Sequence, residues 1–170
     1  MEVHHDAFPL LFSTARRGGQ GLTVLPTAIS QANGFVRFAI AKRARAANAI
    51  EDFGSTQTVG IFEIGTLPSR TLDSLLDHFP APTVLKVDVE GADLAVLGGA
   101  SRVLSKVQPR IYCEVTGQTR EEATDLLRNI GYETFDGQSF GTAHPRAVGP
   151  ETTNLAAVPV CGSEFHHRGN

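Results

Sequence analysis

The order of patterns along the chain predicts an α/β fold in which a parallel sheet is covered by helices. Three observations carry that expectation. Thr83 to Val89 is an apolar run interrupted by one lysine, the pattern of a strand buried on both faces. Arg110 to Val115 and Tyr132 to Phe135 are further strand-like runs, each spaced to leave room for a helix before it. The intervening stretches carry apolar residues at helical spacing: Leu94, Leu97, Val103 and Leu104, then Ala123, Leu126, Leu127 and Ile130.

Asp6 can cap a first helix, with Phe8, Leu11, Phe12 and Ala15 at i, i+3, i+4 and i+7, ended by Gly18-Gly19. Leu22 to Ile29 suits a buried strand, Gln31 to Gly34 a turn, and Phe35 to Ile40 a second strand with Val36, Phe38 and Ile40 on one face. Residues 41–57 have weak periodicity and read as an irregular excursion, followed by a strand from Thr58 to Ile64. Leu72, Leu75, Leu76 and Phe79 form a helical stripe, opened by Ser69 or Thr71 and stopped by Pro80-Ala81-Pro82. The helix after Val89 should be strained or broken at Gly98-Gly99. Thr119 with Glu122 predicts a capping box, and Gly131 a helix end. A Gly- and Pro-containing loop then leads to a last strand, Asn154 to Val160.

At 170 residues, 41% hydrophobic and 19% charged, the chain suits one soluble domain. A net charge of −3 provides no general attraction to nucleic acid or to an anionic membrane, and the run Lys42-Arg43-Ala44-Arg45 reads as a solvated face. No apolar run approaches the roughly 20 residues that span a bilayer. Cys113 and Cys161 form no redox or metal-ligand spacing, and Cys113 reads as a small core residue. These features point to the reducing cytoplasm.

Ligands of open α/β sheets bind outside the carboxyl ends of the strands. Two strands place acids there: one ends in Asp88 and Glu90 before Gly91, the other in Glu114. Asp88 and Glu90, two residues apart, face the same way if the strand runs through them. Neighbouring carboxylates raise one another's pKa, which suits a general base or a cation site. Acids also collect at strand ends for a structural reason, since they meet the positive start of the next helix; spacing alone leaves both readings open. The pairs His4-His5 and His166-His167 near the termini, with His78 and His144, form no metal or triad pattern. Gly18-Gly19-Gln20-Gly21 follows a helix rather than a strand, so it is not read as a phosphate loop.

Three segments together are more specific. Thr71-Leu72-Asp73-Ser74-Leu75-Leu76, Leu85-Lys86-Val87-Asp88-Val89-Glu90-Gly91-Ala92-Asp93-Leu94 and Val96-Leu97-Gly98-Gly99-Ala100 closely resemble the FkbM-type methyltransferases. That family has a "TLDSLL" helix, a "KIDVEGAE" strand end and a following "VLKGA" helix. Pro109 to Glu114 and Asn154 to Pro159 are similar to its next and closing strands.

The resemblance implies a Rossmann-like methyltransferase sheet with flanking helices, S-adenosyl-L-methionine as cofactor, and transfer of its methyl group to a hydroxyl of a small-molecule acceptor such as a sugar. It implies Asp88, Glu90 and Glu114 as catalytic residues, with Glu2, Ala28, Ile29, Asp88 and Val89 binding the cofactor and no metal. Glu2 would hold the ribose hydroxyls, within a Met1–Phe8 segment where Val3 replaces the family's proline. Ala28 and Ile29 would lie by the adenine. The family's first strand, its glycine-rich turn and most of its second strand would fall before Met1, so residues 1–170 are expected to form a single incomplete domain. Exposed sheet edges would then favour self-association or a partner chain. The alternative function is a non-catalytic remnant or interaction subunit that does not bind cofactor on its own.

Overall fold

The computed structural model describes residues 21–41, 49–50, 61–89 and 91–160. The first expected helix, Glu2, Glu90 and Cys161 lie outside the described residues. Two four-stranded mixed sheets are present. The first comprises β1 (Ala28–Ile29), β2 (Gly34–Ala41), β3 (Ala49–Ile50) and β4 (Ile61–Arg70), in the order β1-β4-β2-β3. The second comprises β5 (Val84–Val87), β6 (Arg110–Glu114), β7 (Tyr132–Asp136) and β8 (Asn154–Pro159), in the order β5-β6-β8-β7. β5 and β6 are parallel, and β8 runs antiparallel to both its neighbours.

The expected all-parallel sheet is therefore mixed, because the Gly- and Pro-containing loop returns the chain between β6 and β7 rather than crossing over a helix. Of the run from Leu22 only Ala28 and Ile29 pair as a strand, and Leu22 and Leu25 are exposed. The strand expected from Thr58 instead continues through Arg70, where Ser69 and Arg70 pair with β1.

The core lies on one face of the second sheet. Pleating sends Val87, Ile111, Cys113, Leu155, Ala157 and Tyr132 to that face. Against them pack α2 (Asp93–Gly98), a π-helical turn (Val103–Val107) and α3 (Arg120–Asn129), through Val96, Leu97, Leu104, Ala123 and Leu127. β5 departs from its expected double burial. Val84 is 63% exposed while Val87 is buried, because helices cover only one face and no strand pairs with the outer edge among the described residues.

Helix α1 (Leu72–Leu75) is capped by Thr71, whose hydroxyl accepts from the Ser74 N–H at 3.1 Å. Its Asp73 does more. The carboxylate accepts hydrogen bonds from the backbone N–H groups of Arg102 (2.8 Å) and Val103 (2.9 Å), and the Asp73 N–H donates to the Gly99 carbonyl at 3.1 Å. The helix breaks at Gly98-Gly99, as the glycines predict. Restarting it exposes new N–H groups, which an anion satisfies. Gly99 itself sits where a Cβ would strike the Ser30 carbonyl, so its lack of a side chain lets α2 end against the strand connection of the first sheet.

The expected capping box does not form. Thr119 turns back and exchanges hydrogen bonds with Thr116, each hydroxyl accepting from the other's backbone N–H (3.1 and 3.2 Å).

Asp73→Ala is expected to lower stability by about 1–2 kcal/mol, since it orphans two helix-start N–H groups. A lower urea midpoint at unchanged slope would show it; an unmoved midpoint would remove the clamp from this account.

Candidate active site

The parallel register of β5 and β6 builds the site. Val87 pairs with Cys113, so the next residue along β5, Asp88, comes level with Glu114 at the carboxyl edge. Glu114 is among the groups that act on the Asp88 carboxyl. Asn154, the first residue of β8, pairs with Glu114 and brings an amide to the same edge.

Lys86 stands two residues before Asp88 on the same face of the strand. Its Nζ donates to Asp88 Oδ2 at 2.7 Å, and both side chains are substantially exposed, 64% and 45%. That hydrogen bond, followed by the one with Glu114, holds the Asp88 carboxyl below the usual carboxylate range. The Lys86 ammonium is in turn raised, chiefly by Asp88. Period-2 reasoning could have found Lys86, because i and i+2 share a strand face; its place in an apolar run drew attention to burial instead.

Behind the sheet the electrostatics differ. Asp93, the first residue of α2, is 1% exposed, and among the described residues neither carboxylate oxygen has a hydrogen-bond partner. A buried carboxyl without such a partner costs stability. Cys113 is fully buried, and burial first, then the Asp93, Glu114 and Asp88 charges, push its thiol up to about 12. Gly91 has φ 90°, in the left-handed region that favours glycine, and turns the chain from β5 toward α2.

Of the residues expected at the site, Asp88 and Glu114 are brought together. Val89 is half-buried and packs against the core. Ala28 and Ile29 belong to the other sheet, where Ile29 also packs against the core. Ser30, next to them, meets Gly99 at the end of α2 opposite to Asp93. Glu90 and Glu2 lie outside the described residues. Among the described residues no group of three or more His, Cys, Asp or Glu is placed to hold a metal ion, and no helix is long and apolar enough to cross a membrane.

A family model described as the methyltransferase FkbM domain matches residues 12–135, which include both Asp88 and Glu114. No curated protein matches the chain, and no solved structure does.

The raised Cys113 thiol gives a sign-definite expectation. The folded thiol keeps its proton while the unfolded one ionises near 9.0, so stability should be full below that value and fall as pH rises from about 9 toward about 12. Peptide mapping after brief alkylation at pH 8 should find Cys113 unmodified in the folded chain and modified in urea; rapid labelling without denaturant would contradict this burial.

Proposed function

The chain belongs to the FkbM methyltransferase family, and on that premise we propose that it transfers a methyl group from S-adenosyl-L-methionine to a hydroxyl of a small metabolite or sugar. The observation that carries this reading is the Asp88–Glu114 pair at the carboxyl ends of adjacent parallel strands, where open α/β sheets bind ligands.

The residues suit such a donor. An acidic edge favours a cationic sulfonium compound, and carboxylates accept hydrogen bonds from ribose and amine groups. In this reading Glu2 holds the ribose hydroxyls, Ala28 and Ile29 flank the adenine, and Asp88 and Val89 line the side nearest the reacting methyl. When bound, S-adenosyl-L-methionine supplies an electrophilic methyl carbon with a thioether as leaving group.

The chain's own part is positioning and proton transfer. Asp88, ionised and open to solvent on one side, accepts a hydrogen bond from the acceptor hydroxyl and takes its proton as the oxygen forms its bond to carbon. Glu114 and Glu90 flank the same hydroxyl. Holding the acceptor in line with the methyl group provides most of the acceleration, since correct placement replaces a bimolecular encounter. The small-molecule acceptor is selected by segments 41–57 and 136–153, which lie outside the sequence motifs shared with the family.

Calorimetric titration of the full chain with S-adenosylhomocysteine should give saturable binding. Absence of heat at high micromolar ligand would favour the alternative, a non-catalytic remnant or interaction subunit. Against a panel of sugars and hydroxylated metabolites, Asp88→Ala should abolish turnover of any acceptor that reacts, with unchanged circular dichroism. Retained turnover would remove Asp88 from the chemistry.

A further inference from the structure

We propose that the apolar groove between α1 and β5 is the seat of the chain's own N-terminal segment, whose Phe8, Leu11 and Phe12 cover it as one face of a helix. The proposal concerns what covers α1 and is independent of the methyl-transfer reading.

The groove has a volume of about 200 Å³, and its walls include Leu72, Leu75 and Leu76 at α1, Leu85 of β5, and Leu25. Thr23 is the one polar side chain on those walls among the described residues. Although α1 carries an apolar stripe, none of its residues is buried, and Leu25 is 39% exposed. Water in such a trough finds few polar partners, so an apolar cover displaces it favourably.

The occupant follows from the chain itself. Residues 1–20 lie outside the described residues, and they join the molecule at the groove, since Thr23 and Leu25 stand on its wall. Asp6 as cap, Phe8, Leu11, Phe12 and Ala15 at i, i+3, i+4 and i+7, and Gly18-Gly19 as stop specify a helix with one apolar face. A helix of about eleven residues is marginal in water and needs a surface to pack on. The link from Gly19 to Thr23 reaches at most about 14 Å, so the helix end is held beside the groove. That tether supplies an effective concentration on the order of millimolar. A second copy of the chain would instead have to give up translational and rotational freedom to reach the same surface.

Nuclear Overhauser spectra of the full, carbon-labelled chain test the seating. Ring protons of Phe8 or Phe12 should give cross-peaks to methyl groups of Leu72, Leu75 or Leu76. In a mixture of labelled and unlabelled chains, an isotope filter that passes only contacts between chains should remove them. Leu11→Asp combined with Phe12→Asp should shift those leucine methyl resonances and lower the urea midpoint. Should that variant fail to fold, Leu11→Ala alone carries the same expectation. Absence of the cross-peaks from the native chain, or unmoved methyl resonances in the variant, overturns the proposal. Cross-peaks that survive the filter assign the groove to a second copy and overturn it equally.

Discussion

The in-register parallel pairing of β5 with β6 is the constraint on which the site depends. Pairing Val87 with Cys113 buries both on the helix-covered face and, one residue on, brings Asp88 level with Glu114 at the carboxyl edge. A slip of one residue would turn the buried side chains to solvent and separate the carboxyls. Burial and chemistry are thus set by the same register. The hydrophobic cost of a slip protects the acidic pair, which has no packing energy of its own to protect it.

The helix that follows is positioned by polar contacts at its break rather than by length. Six residues of α2 cannot hold themselves in water. Asp73 reaches from α1 to satisfy the restarting turn at Arg102 and Val103, and Gly99 allows the backbone to close on Ser30. These contacts join the first sheet to the core of the second. The aspartate of the "TLDSLL" segment is therefore structural, whereas the aspartate of "DVEGA" faces solvent beside another carboxyl. Asp93 is the exception to economical packing, since its buried oxygens have no partners among the described residues.

Much of the second half of the molecule was legible as pattern. The interrupted helix, the β6 strand and the inward face of α3 lie where the apolar spacing puts them, because those residues bury against each other at short sequence range. The Thr119 capping box failed because Thr116 offered a closer partner, a choice that local composition does not rank. For β5 composition alone points to burial on both faces, which the structure does not show. Its composition is apolar on both faces, and only the arrangement of neighbours shows that Val84 faces outward.

By itself the sequence determined the element types, the glycine break and the identity of the acidic strand ends, since these follow from local propensity and periodicity. It also carried the family, through motifs read residue by residue. Only tertiary structure decided which acids meet, that Lys86 touches Asp88, and that Asp73 serves a helix start about thirty residues away. Those outcomes depend on strand order and register, which bring distant residues within a few ångströms and which no local pattern encodes.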